Sequence, residues 1–314
     1  MTSAPSLLRL ALLAALVPLA ARAQEASVPA LDPAPLTQAD LLSREIGFGI
    51  GHTALSSRQD GFFLGGYAAG GSSAADHAQD SDYNSRGLVL GWGWSNGLSA
   101  FAGYGQGVSY LEDDVHEARI RSYFLGTGYS GESNGVSYGG TLYMGRTHNK
   151  LSSPASASGS TDHDGRILGL SLRGETMLKE GDAPGTGLDF VMTGDVLRHA
   201  TGNYDLVRKG GEIESRVTYS SAFRAELGAP MRAVGGTLRP YAAYTVFGGD
   251  QDKLTYVTEA GSRSFVASEL LEQDQLALGV DYGAAGGHGL GGRLEAASNL
   301  DGDAALRLNL SFNF

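Results

Sequence analysis

The sequence predicts an all-β fold: a transmembrane antiparallel β-barrel of twelve strands, preceded by a short N-terminal segment that reads as a linker with a helix or strand. Three observations carry this. The chain has 47 Gly, 9 Pro and no Cys in 314 residues, and only 18% of residues are charged; soluble domains average about 25% charged residues and about half as much glycine. Glycine at that density weakens helices but relieves crowding inside a curved sheet. From residue 60 onward, segments of about ten residues alternate in polarity between clusters of Gly, Asn, Asp and Ser, the pattern of barrel strands. Beyond the N-terminus no apolar run approaches the roughly 20 residues of a membrane-spanning helix, so any membrane residence is as a closed barrel.

Residues 1–23 read as a signal peptide. Arg9 gives a positive start, residues 10–21 (LALLAALVPLAA) the apolar run, and Ala21-Arg22-Ala23 a small-residue cleavage site. The mature chain then starts at Gln24, and loss of two Arg takes the formal charge from -11 to -13. That acidity argues against nucleic acid as a partner, because phosphate binding needs a basic patch. Without Cys there is neither a disulfide framework nor a thiolate metal site.

Residues 24–59 form the linker segment, Pro- and Ala-rich through residue 36. Thr37 would cap a helix with Asp40 three residues on, carrying Leu41, Leu42 and Ile46. Residues 46–54 (IGFGIGHTA) alternate equally well as a strand, and both readings stay open. As a helix of about 18 residues, Thr37 to Ala54 would span about 27 Å, close to the ~30 Å hydrocarbon thickness.

The barrel occupies residues 60–314, with strands near 60–71, 83–94, 98–110, 117–130, 136–149, 166–178, 187–199, 215–228, 237–253, 266–284, 289–299 and 304–314. The last is clearest: Leu306, Leu308, Leu310, Phe312 and Phe314 alternate with Arg307, Asn309, Ser311 and Asn313, which in a strand gives one face for lipid and one for water. Strands 98–110 and 117–130 alternate poorly. Connections after even strands are tight (95–97, 131–135, 285–288), whereas 150–165, 200–214 and 250–265 are long. Short periplasmic turns with longer outer loops, and an even strand count, are the expected asymmetry.

Five stretches carry a family resemblance: FAGYGQG at 101–107, RSYFLGTGYSG at 121–131 followed by VSYGGTLYMG at 136–145, RPYAAYTVF at 239–247, LALGVDYG at 276–283, and the terminal strand ending in Phe314. In that order they resemble the β-domain of autotransporters, the translocator barrels of type V secretion. The resemblance implies a twelve-stranded, monomeric barrel in a bacterial outer membrane, with a helix from the linker lying in the lumen. It further implies that the strand carrying Leu308, Leu310, Phe312 and Phe314 is read by the barrel-assembly machinery. The sequence departs from the family between Gln24 and the first strand, where a stretch of only about 35 residues is too short for a secreted passenger. Threading or display of this short segment is the leading expectation; a stand-alone pore or scaffold barrel is the alternative, and a barrel hydrolase a third.

Two enzyme-like strings have better structural explanations. Gly135-Val136-Ser137-Tyr138-Gly139 matches G-x-S-x-G, but that elbow needs a strand-to-helix turn and here a strand follows. Gly126 to Gly131 match G-x-G-x-x-G with no helix to hold a pyrophosphate. No enzyme activity, cofactor or resident metal is expected. Acid and His clusters at Asp76, His77, Asp80 and Asp82, at Glu112, Asp113, Asp114 and His116, and at Asp162, His163 and Asp164 read as solvated outer loops, near outer-membrane lipid and lipopolysaccharide. More informative are the charges on inward positions: Arg173, Arg224, Arg239, Arg293 and Arg307 with Glu175, Asp189, Asp195, Glu226, Asp281 and Glu295. Both signs in one lumen imply a hydrated, ion-paired interior that conducts or holds a polypeptide, with Arg44 and Glu45 of the linker segment as candidate partners.

Overall fold

A computed structural model describes residues 34–56, 60–75, 78–111, 117–152, 161–183, 185–206, 211–251, 253–265, 274–284, 288–299 and 303–314. The helix α1 (Ala34–Ser56) is followed by β1 (Gly61–Ala75), β2 (Ala78–Gly93), β3 (Leu98–Leu111), β4 (Glu117–Ser133), β5 (Val136–Ser152), β6 (Thr161–Glu180) and β7 (Gly187–Thr201). Then come β8 (Tyr204–Leu206), β9 (Gly211–Ile213), β10 (Arg216–Gly228), β11 (Met231–Ala233), β12 (Gly236–Gln251), β13 (Leu254–Thr258) and β14 (Gly261–Phe265). The chain ends with β15 (Gln275–Ala284), β16 (Gly289–Ser298) and β17 (Ala304–Asn313).

Twelve strands, β1–β7, β10, β12 and β15–β17, form one antiparallel wall. It closes because β1 pairs with β17 and β10 with β12. Closure gives wall backbone groups a partner on both sides, the condition for crossing hydrocarbon with strands. Tight turns sit at one end. Ser133 pairs with Val136 across Asn134-Gly135, whose φ values of 52° and 75° are those of a two-residue hairpin matched to strand twist. The long connections lie at the other end.

Outward positions along the middle of the strands are apolar. Leu88, Leu90, Trp92, Leu125, Leu142, Leu170, Leu278 and Leu306 are all exposed, Leu278 by 70%. Such a belt has no place in water and fits a lipid solvent. Among the described residues no helix is long and apolar enough to cross a membrane. The weak alternation of β3 has a simple cause: its inward positions 103, 105 and 107 are glycine.

The structure corrects the sequence reading in several places. Beyond residue 71, β1 continues to Ala75 and β5 continues to Ser152, while β6 starts at Thr161. The long connections hold β8, β9, β13 and β14, a separate four-stranded sheet whose Tyr204, Leu206, Ile213, Leu254 and Tyr256 are buried. Helix α1 starts at Ala34, so Thr37 falls inside its first turn; Pro35 near the start suits the fixed φ of proline at a helix entry. Residues 46–54 are helical. A strand there would face walls whose ladders are already full, whereas a helix satisfies its own backbone. The signal peptide, residues 24–33 of the linker, residues 266–273 of the tenth predicted strand, and Asp76, His77, Glu112, Asp113, Asp114 and His116 lie outside the described residues.

Candidate functional site in the barrel lumen

Helix α1 is buried on all sides, with Gln38, Asp40, Leu42, Ser43, Ile46, Ile50, Thr53 and Ala54 each at most 3% exposed. It packs against β1–β7 and β17. Leu42, Ile46 and Ile50, four residues apart, lie on one helical face. They stand over the stripe of Gly107, Gly105 and Gly103 in β3, where a methyl group at residue 103 or 107 would come within 3.0 Å of Ile50 or Leu42 and one at residue 105 would collide with Ile46. A second face reverses the roles: Gly47 and Gly51 leave room for Leu197, Tyr143 and Ser171. The glycine-rich motif of β3 is thus a seat for the helix.

The opposite wall is filled with charge. Glu226 accepts hydrogen bonds from Arg224 (2.7 Å), Arg239 (3.0 Å) and Arg293 (2.8 and 3.0 Å). Arg239 also donates to both oxygens of Asp189 (2.9 and 2.8 Å) and to Asp281 (3.0 Å), which receives Arg293 at 2.6 Å. Glu295 links Arg224 to Arg307 (3.2 Å) and accepts the Tyr241 hydroxyl at 2.8 Å. The Tyr241 ring lies under Arg224, Arg239 and Arg293, with guanidinium carbons 4.6 to 5.7 Å from its centroid. Of the inward charges singled out in the sequence, Arg224, Arg239, Arg293, Arg307, Asp189, Glu226, Asp281 and Glu295 meet in this lattice. Among the described residues Arg173 and Glu175 pair with each other, at 2.9 Å, and Asp195 turns to the helix.

The helix is tied to both walls and at both ends. Asp40 accepts His199 Nδ1 at 3.1 Å and pairs with Arg216; His199 lies two residues before the end of β7 and Arg216 begins β10, both near the long 202–215 connection. Gln38 receives Ser109 at 2.8 Å near the same end of β3. Toward the tight turns, His52 pairs with Asp195 at 2.9 Å and Asn309 donates to Thr53 at 2.9 Å. Between them Glu45 lies 3.7 Å from Arg307, and Arg44 stacks over Phe247 at 4.7 Å. The helix therefore enters from the long-loop end and leaves at the tight-turn end, where β1 starts. Beside it, toward the charged wall, runs a cavity of about 120 Å³ bordered by His52, Arg224, Glu295 and Arg307. A vestibule of about 550 Å³ opens below Ser56, bordered by Arg173, Asp189, Arg239 and Asp281.

From the sequence Asp40 reads only as a capping partner of Thr37, and neither His199 nor Arg216 stands out, although His199 holds an inward position on a segment whose alternation is plain. Ser43 Oγ lies 3.5 Å from His199 Nε2, but its proton goes to the carbonyl of Ala39 at 2.7 Å and both side chains are sealed in the helix–wall contact. Gly135 to Gly139 occupy the β4–β5 turn and β5, with no helix following, and Gly126 to Gly131 lie within β4. The acid–His trio at 162–164 is split by strand alternation: Asp162 and Asp164 face outward, while His163 faces inward and stacks on Tyr204 at 4.0 Å. Asp82 lies outward on β2. At the seam, Leu308, Leu310 and Phe312 face outward and Phe314 packs on Phe62 at 5.3 Å and Phe312 at 4.6 Å.

A closed twelve-stranded antiparallel barrel with an apolar exterior has the architecture of a transmembrane β-barrel, and here a helix fills part of the lumen. Within that class the fold is similar to the translocator domain of the autotransporter NalP from Neisseria meningitidis, with a TM-score of 0.61 at 16% identity over 92% of this chain and all of that one. The transport unit of AIDA-I from Escherichia coli superposes at 0.57 with 12% identity, covering 91% of this chain and all of that one. The β-domain of the Bordetella autotransporter BrkA gives 0.56 at 16% identity, over 81% of this chain and all of that one. No family model and no curated protein matches the sequence. At these identities the likeness is one of fold.

Proposed function

We propose that the protein is a monomeric outer-membrane barrel that threads its own N-terminal segment and displays it at the cell surface, in the manner of an autotransporter translocator. The polarity of α1 carries this reading. Its first turns are fixed by Asp40, His199 and Arg216 at the long-loop end, so Ala34, the first residue of the helix, lies toward that end, which supports display there. An epitope inserted near Ala30 is expected to be reachable by antibody on intact cells. Labelling only after the outer membrane is opened would place the N-terminus in the periplasm and favour a stand-alone pore. The outward row Leu308, Leu310 and Phe312 with Phe314 serves, in this reading, as the signal for the barrel-assembly machinery. Deleting Phe314 lowers the heat-modifiable barrel in the outer membrane without stopping export.

A further inference from the structure

On the outward face of β2–β7, the first polar residue beyond the apolar belt at the long-loop end is arginine on five of the six strands. These are Arg86 beyond Leu88, Arg121 beyond Tyr123, Arg146 beyond Met144, Arg166 beyond Leu168, and Arg198 beyond Val196; β3 has Gln106 beyond Tyr104. Strand register keeps them near one height. Cross-strand rows climb toward the long loops with strand number: the row that begins at Ser99, beside a tight turn, passes through Gly128, Thr141, Ser171, Asp195 and Ala222 and reaches Phe247 near the far end of β12. From Arg121 to Arg146, and again from Arg166 to Arg198, the arginines step down one outward position. That offsets the climb of strands tilted about 40°.

The collar is confined to this sector. The outward faces of β10, β12, β15–β17 and β1 carry no Lys or Arg among the described residues, in a chain of net charge -11. Arg146 reaches Asp164 at 3.5 Å, a carboxylate shared with His148 at 3.0 Å. Arg121, Arg166 and Arg198 have no carboxylate partner among the described residues. Beneath the collar lies a lipid-facing concavity of about 840 Å³ on the same strands, hollowed at Gly140, Gly174 and Gly194 and walled by Leu142, Leu170 and Met192. Leu142 and Leu170 lie four residues below Arg146 and Arg166, about 13 Å at ~3.3 Å per residue.

We propose that this sector binds the phosphorylated head group of an acylated outer-leaflet glycolipid, with the arginines on its phosphates and an acyl chain in the concavity. Guanidinium forks match phosphate oxygens in pairs, and their aliphatic stems cross the edge of the apolar belt while the charge stays in the head-group layer. This rests on the barrel's residence in an outer membrane with its long loops outward, and not on what the lumen carries.

The test is retention of lipid by detergent-purified full-length protein, read by native mass spectrometry. The probes are bisphosphorylated lipid A, the same lipid without phosphates, and soluble pyrophosphate. The protein is expected to retain the bisphosphorylated lipid at least about tenfold over the dephosphorylated one, and R121Q/R146Q/R166Q/R198Q to lose that preference while remaining heat-modifiable. Should the fourfold variant not fold, R166Q/R198Q is expected to reduce the preference about threefold. Equal retention of the two lipids, or an unchanged preference in the variants, overturns the proposal. Pyrophosphate binding as tight as the lipid's overturns it in favour of a soluble-anion site. Failure to enter vesicles of any composition would instead refute membrane residence itself.

Discussion

The wall of β1–β6 meets α1 through missing side chains, whereas the wall of β10, β12 and β15–β17 is filled by long charged ones. On the first wall the helix is held by shape: Leu42, Ile46 and Ile50 rest where Gly103, Gly105 and Gly107 have nothing. On the second, arginines and carboxylates hold chiefly one another, and the wall reaches the helix through separate polar contacts: Arg216 to Asp40, Arg307 to Glu45, Phe247 under Arg44 and Asn309 to Thr53. One wall is a seat and the other a brace. A lumen can thus be filled by shape on one side and by ion pairs on the other, and the same barrel fails in two different ways when each wall is altered.

The brace fails hardest. Glu226 binds three arginines from within the barrel wall, so Glu226→Ala leaves Arg224, Arg239 and Arg293 short of a counter-charge. Breaking a buried ionic cluster by removing one partner costs about 3–5 kcal/mol, and a urea refolding titration is expected to show a loss in that range. A smaller loss for Glu226→Ala than for Arg173→Ala, whose ion-pair partner among the described residues is Glu175, would dissolve the distinction between lattice and isolated pair.

The contrast between walls presupposes that their other face meets lipid. Leu308 points out of β17 beside inward Arg307 and Asn309, so Leu308→Arg is expected to cost about 2–4 kcal/mol in vesicles if it lies near the bilayer midplane, falling toward the interface. The same titration in detergent-free denaturant series compares it with the inward Asn309→Ala, which removes one hydrogen bond to Thr53 and is expected to cost about 1 kcal/mol. Equal costs would remove the facing assignment.

The seat fails by overfilling. Gly105→Val places a methyl group against Ile46 and is expected to cost about 1–3 kcal/mol. Because β3 stays fully paired, the loss falls on the helix. Limited proteolysis within 34–56 is expected to speed up while the heat-modifiable barrel band remains. Loss of the barrel band with no change in helix protection would show that Gly105 serves the wall and not the helix.

These two walls were unequally legible in the sequence. Strand alternation was plain wherever lipid, a uniform apolar solvent, selects every second residue, as in Leu306 to Phe314. Once the outward face is known, the inward one follows, and that is how Arg224, Glu226, Arg239 and Glu295 could be grouped before their contacts were visible. Helix α1 resisted because it is buried all round: each face meets a different wall, so no single stripe marks it, and its alternating Gly47, Gly49 and Gly51 imitate a strand. The clamp at Asp40 joins residues 159 positions apart, a separation no local pattern encodes. Strands β8 and β9 are only three residues each, too short for a period to show.

The chain's own helix occupies the lumen. Single-channel conductance of refolded protein, with and without residues 24–59, tests this occupancy most directly, with the heat-modifiable band confirming that both barrels are formed. The occupied barrel, whose free passage beside the helix is a cavity of about 120 Å³, is expected to open rarely and weakly, and the truncated one to conduct steadily. Equal conductance of the two would contradict the account.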